Sequence, residues 1–208
     1  MREPDAVLAT ERVRLRRFTH DDVALLHGLD ADPEVMAYLT GGKSTSWEEI
    51  ETRRLPGYLA GYESHGLGHW AAEKLAAEKF AAEQLTTEEL PDGGFIGWFA
   101  LEPGDRGLEL GYRLRRDAWG KGYASEVSIA LVDAAFTRFG ADRVYAETMA
   151  VNRRSRRVME AAGLRYDRTF HLTFDDPIPG TEHGEVEYAL TREQWRAERS
   201  GQAGHRPV

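Results

Sequence analysis

The chain has 208 residues, of which 41% are hydrophobic, 30% are charged and none is cysteine. At about 100 to 200 residues per domain this predicts a single domain over 1–208, with enough apolar material for a packed α/β core. The lack of cysteine excludes disulfides, thiolate metal sites and thiol nucleophiles. No apolar run nears the ~18 residues of a membrane span, and Met1 to Leu8 carries no apolar leader segment, so a cytoplasmic protein without a membrane partner is expected. A formal charge of −8 argues against a general nucleic-acid binder. The charge is uneven: residues 113–168 hold twelve Lys or Arg against seven acids, which leaves −13 for the remainder. One basic region beside an acidic body suits a small anionic ligand.

Val13 and Leu15 alternate with basic residues and predict an opening strand to Phe18. Thr19 and Asp22 cap a helix through Leu29, and Asp32-Pro33 begins a short second one through Leu39. Ser46 and Glu49 have capping-box spacing before a helix running toward Tyr62, which Pro56 must kink or split, and Gly66 and Gly68 end it. Residues 70–90 repeat with a period of five, from Trp70-Ala-Ala-Glu-Lys74 to Leu85-Thr-Thr-Glu-Glu89. Five residues turn a helix by about 500°, so the large apolar side chains form no single stripe. The composition favours an inserted Ala/Glu/Lys helix; the alternative makes Trp70 to Lys74 a strand and only the middle an insert. Phe95 to Leu101 and Leu108 to Leu114 read as a hairpin around Pro103-Gly104-Asp105. A helix from the glycines near 120 to Gly140 follows, then a strand over Arg143 to Val151, a short helix from Asn152 to Gly163, strands over Leu164 to Phe174 and Val186 to Leu190, and a helix capped by Thr191 and Gln194. The core spans about 10–196, and the tail over 199–208 is expected to fray.

The stretch from Glu109 to Glu126 is a strand, a glycine-bearing turn and a helix. Unpaired N–H groups and the positive end of the helix dipole meet at such a helix start, and glycines admit a phosphate closely. A nucleotide P-loop fails because Gly122, not Ser or Thr, follows Lys121. A dinucleotide fingerprint has Gly120 and Gly122 in place, with Glu147 ending the next strand, but Ser125 stands at the third glycine position; it remains an alternative.

The Trp119-Gly-Lys-Gly-Tyr-Ala124 turn and the later Asn152-Arg-Arg-Ser155 to Gly163-Leu164 segment, in this order of elements, resemble the GNAT family of N-acetyltransferases, nearest its ribosomal-protein-alanine acetyltransferase branch. The resemblance covers about residues 10–196 apart from the repeat. It implies an α/β fold with a mixed, mostly antiparallel sheet flanked by helices and splayed at the cofactor, and acetyl-CoA as co-substrate. By the resemblance, the amides of Gly120, Lys121, Gly122, Tyr123 and Ala124 bind the pyrophosphate. Trp119 stands where many members have Gln or Arg. The main chain of Tyr112, Arg113 and Leu114 would meet pantetheine and supply an oxyanion donor. Asn152 would touch the pantetheine arm, and Ser155 would lie near the sulfur as hydrogen-bond donor or water relay, since Met159 occupies the position of the tyrosine used in other branches. Arg153, Arg156 and Arg157 are further phosphate candidates, against an ordinary role as solvated surface.

An attacking amine must lose a proton, because alkylammonium groups titrate near 10. Glu109 is the first candidate base, with Glu147 and His171 behind it. Seven scattered histidines show no metal-ligand spacing, so no metal is expected. The expected reaction is direct acetyl transfer to a primary amine, on a protein N-terminus or a small molecule, without an acyl-enzyme. A non-catalytic acyl-CoA-binding or sensing module is the alternative, and assembly as a homodimer is left open.

Overall fold

The structure, a computed structural model, describes residues 6–75 and 94–203, with side chains described through Ser200. Its strands are β1 (Ala6–Ala9), β2 (Val13–Arg17), β3 (Gly68–Lys74), β4 (Phe95–Gly104), β5 (Gly107–Leu114), β6 (Arg143–Met149), β7 (Arg165–Phe170) and β8 (Glu185–Thr191). Its helices are α1 (Val23–Asp30), α2 (Ala37–Thr40), α3 (Trp47–Glu49), α4 (Leu55–His65), α5 (Tyr123–Thr137), α6 (Arg153–Ala161) and α7 (Arg192–Ala203). The strand order is β1-β2-β3-β4-β5-β6-β8-β7. The β1–β2, β2–β3, β3–β4, β6–β8 and β7–β8 pairs are antiparallel and β5–β6 is parallel, which is the mixed, mostly antiparallel sheet of the expectation.

Two compact units divide the chain: Met1–Glu102 with Gly111–Val127, and Pro103–Leu110 with Ser128–Val208. In the first, alternation along β2 buries Val13 and Leu15 and sends Arg14 and Arg16 to the buried Glu73 of β3, at 2.8 and 2.6 Å. Arg16 also forks onto Asp22 at 2.8 and 2.9 Å, so both buried carboxylates are paired, which is the condition for burying charge at all. Phe18, Leu26, Leu29, Ile50, Leu55 and Trp98 lie in one apolar cluster. Tyr62 ties α4 to this core: its hydroxyl accepts from the Phe18 amide and donates to the His69 carbonyl, and burial pushes the phenol up to about 12.

The structure bears on the local readings in this unit. Trp70 to Lys74 is strand, not the start of an inserted helix: Lys74 pairs with Val13 and Trp70 with Phe99, and tertiary pairing overrides helix propensity. Residues 76–90 of the repeat, and 91–93 after it, lie outside the described residues. Glu49 completes only half a capping box; its amide bonds to Ser46 Oγ at 3.1 Å, while its carboxylate takes Arg53 and Arg54. The helical run from Trp47 is split as expected at Pro56: a π-helical stretch over Ile50–Arg54 precedes α4, which holds the proline in its first turn.

The second unit is built on β6 and β8, paired from Arg143↔Thr191 to Met149↔Glu185, with α6 packed on β6, β7 and β8. Its β4 segment continues through Pro103 and Gly104, so the turn falls at Asp105-Arg106, later than the sequence suggested. A Cβ at Gly104 would collide with the Tyr145 hydroxyl. Glu187 is fully buried on β8, ringed by Arg143 at 2.6 Å, Arg168 at 2.8 Å and Arg106 at 3.3 Å. Against burial, these arginines hold its carboxyl below the usual carboxylate range. The closing helix is capped reciprocally by Thr191 and Gln194 and runs to Ala203, past the expected fraying point; residues 204–208 lie outside the described residues.

Candidate active site

In the first unit, β5 delivers the chain to the glycine turn. The Arg113 side chain is drawn inward to an ion pair with Asp30, whose other oxygen accepts from Thr45 at 2.6 Å, and its guanidinium lies over Trp98 at 5.2 Å. Arg113 therefore anchors the strand through its side chain. Gly97 of β4, at φ 137°, lets the Arg113 peptide approach so closely that a Cβ would overlap its carbonyl oxygen, and the Arg115 amide bonds to Ile96 at 2.9 Å. The Trp119 indole donates to the Leu114 carbonyl at 2.9 Å, bracing strand end against turn. A tryptophan here thus has a local structural task that Gln or Arg would perform differently.

Gly120 and Gly122 adopt φ 72° and 83°, a backbone that side chains disfavour, and α5 starts at Tyr123. Nothing lies within 4 Å of a Cβ position at Gly120, while at Gly122 the Arg12 guanidinium stands 3.3 Å away. The Glu126 amide bonds to the Gly122 carbonyl at 3.0 Å and closes the first helical turn. The amides that follow belong to a helix N-terminus, where backbone donors lack intrahelical partners. These residues fit a pyrophosphate: glycines in left-handed backbone, space at Gly120 and the positive end of a fifteen-residue helix. Tyr123 is buried beneath the Arg12 guanidinium, 4.8 Å from its ring centroid.

In the second unit the β5–β6 register consists of Leu108↔Val144 and Glu109↔Tyr145, so the parallel ladder ends at Glu109. The Tyr145 hydroxyl donates to Glu109 Oε2 at 3.3 Å; burial first, then the Glu109 charge, pushes the phenol above its usual range. Arg106 pairs with Glu147, which places that base candidate in an ion pair. His171 follows β7 and is exposed. Asn152 caps α6: its Oδ1 accepts from the Ser155 amide at 3.2 Å and its Nδ2 donates to Thr148 at 3.1 Å. Arg156 bonds to the Tyr188 hydroxyl and the Ala150 carbonyl, a structural engagement, whereas Arg153 and Arg157 are exposed. Met159 is buried. The turn residues and Tyr112 to Leu114 thus lie together in the first unit, and Glu109, Asn152 and Ser155 belong to the second. Among the described residues no group of three His, Cys, Asp or Glu could hold a metal ion.

A strand anchored at its end, two left-handed glycines and a helix N-terminus, on a mixed sheet, suit a protein that binds a phosphate-bearing cofactor. Residues 12–165 match the acetyltransferase (GNAT) domain, and the chain belongs to that family. It is an acyl-CoA-dependent N-acetyltransferase whose co-substrate is acetyl-CoA, so the glycine turn is not a dinucleotide fingerprint. FsC-acetyl coenzyme A-N(2)-transacetylase of Aspergillus fumigatus is 34% identical over 201 residues, covering 90% of this chain and 77% of that protein. Two solved structures share the fold. RimL, a ribosomal L7/L12 alpha-N-protein acetyltransferase in complex with coenzyme A, aligns with TM-score 0.70 at 17% identity over 91% of this chain and 99% of its own. Spermidine N-acetyltransferase from Vibrio cholerae, with CoA and spermine, aligns with TM-score 0.66 at 16% identity over 88% and 98%. Arg12 and Asp30, which fix the turn and the strand, carried no sequence signal: Arg12 meets Glu126 across 114 residues and Arg113 meets Asp30 across 83.

Proposed function

We propose that the protein acetylates a primary amine directly, on a protein N-terminus or a small molecule. The observation that carries this is the strand–glycine turn–helix unit in a chain of the GNAT family. The amides of Gly120 to Ala124, braced by Trp119, hold the pyrophosphate, and the Tyr112 to Leu114 main chain takes the pantetheine. Asn152 contributes through its backbone, its side chain being spent on the helix cap, and Ser155 steadies the departing sulfur by donating a hydrogen bond. Bound acetyl-CoA supplies the activated acetyl group. Glu109 accepts the proton of the amine, and its contact with Tyr145 supports that role by holding the carboxylate in place. The acceptor is cationic before it reacts, in keeping with the acidic surplus outside residues 113–168. The similar proteins act on acceptors as different as spermidine and a protein α-amine, and an amine is their common element.

Calorimetric titration with acetyl-CoA, with NADH alongside, tests the cofactor, and thiol release across a panel of amines and N-terminal peptides tests the reaction. Micromolar binding of acetyl-CoA alone, with turnover of at least one amine, is expected. Binding of NADH alone overturns the reading, and acetyl-CoA binding without turnover on any amine reduces the protein to a CoA-binding module.

A further inference from the structure

The glycine turn is held from outside its own segment. Arg12, in the bend between β1 and β2, donates its backbone amide to Glu126 Oε1 at 3.0 Å and its Nε to Glu126 Oε2 at 2.6 Å. A terminal guanidinium nitrogen donates to the Lys121 carbonyl at 3.0 Å, and the same group covers the Tyr123 ring. Thr10 and Arg12, acting against burial, hold the Glu126 carboxyl below its usual range.

Peptide geometry turns these contacts into a direction. In a planar trans peptide the C=O and the following N–H point opposite ways. With the Lys121 carbonyl bound to Arg12, the Gly122 amide points away from Arg12. With the Gly122 carbonyl bound to the Glu126 amide, the Tyr123 amide points away from the helix interior. Glycine at φ 83° has little intrinsic preference that would hold this peptide against a flip, so the restraint must come from its partners. Glu126 also places a negative charge in the first turn of α5, where a phosphate needs a positive field, and Arg12 neutralises it.

Resting on the acetyl-CoA reading above, we infer that Arg12 is a positioning residue for the cofactor: it locks the Lys121–Gly122 peptide and cancels the Glu126 charge, so that the Gly122 and Tyr123 amides face the pyrophosphate. Lysine cannot replace it, because one ammonium lacks the planar fork that serves the carboxylate and the carbonyl together.

The test is calorimetry with acetyl-CoA on the wild type, Arg12→Ala, Arg12→Lys and Arg14→Ala, each checked for folding by circular dichroism and melting. Arg14 is the control, since it pairs with Glu73 on the next strand at 2.8 Å and lies outside the turn. Both Arg12 variants should weaken binding about tenfold or more. Arg14→Ala should lower the melting temperature and leave affinity within about twofold. With an accepted amine, Arg12→Lys should raise KM for acetyl-CoA while kcat at saturation stays within about twofold. Wild-type affinity in folded Arg12→Lys, or an equal loss in Arg14→Ala, overturns the inference. If the wild type itself fails to bind acetyl-CoA, the functional reading falls, which separates the two failures.

Discussion

Gly122 is confined twice, by its positive φ and by the Arg12 guanidinium at its open side. Gly122→Val should abolish measurable acetyl-CoA binding: a β-branched residue is strained at that φ, and its methyls displace Arg12. Calorimetry on the folded variant checks this. At Ser155 the expected effect is on rate rather than affinity, because a hydrogen bond to the leaving sulfur matters most as charge develops. Ser155→Ala should lower kcat about tenfold with the acetyl-CoA Kd unchanged, and full activity in that variant removes the role. Glu109 has an independent reporter in its neighbour. Glu109→Gln should lower the Tyr145 phenol, whose upward shift comes from burial and then from the Glu109 charge; difference titration of phenolate absorbance against Tyr145→Phe reads it.

Elements here owe their form to close approaches between strands as much as to local propensity. Gly97→Ala should destabilise the fold by about 2 kcal/mol or more, since a methyl at φ 137° meets the Arg113 carbonyl; urea unfolding measures the loss. The same element-level view explains what was legible. Period-two alternation identified β2 and β5, and glycine punctuation identified the turn into α5, because each signal is local. β3 was obscured by a helix-forming composition that only its two strand neighbours overrule. The π-helical stretch over Ile50–Arg54 has no pattern of residue types to announce it. Asn152 was legible as a cap, yet the hold of its amide on Thr148, which commits the side chain to structure, is a contact the sequence does not announce.

For the whole molecule, charge placement sets the response to acid. The folded-state carboxyl of Glu187 titrates below its ordinary 4.5, so its contribution is present above that value and is lost as pH falls through the folded-state value. Melting temperature should therefore drop below about pH 4.5. Glu187→Gln should melt lower than the wild type at neutral pH, since three arginines lose their shared carboxylate, and the gap should narrow on acidification. At this scale the family resemblance was legible because two motifs keep their order along the chain. The tethers Arg12–Glu126 and Asp30–Arg113 were not, since pairing across more than eighty residues leaves no spacing to read.

The β3–β4 register holds Glu73 opposite Phe95, so the chain leaves one strand and returns to the next at neighbouring points. Ends this close can be joined by a flexible link at an entropic cost that grows only with the logarithm of its length. That position is accordingly a place where a foreign domain or reporter can be spliced in without disturbing the register on either side.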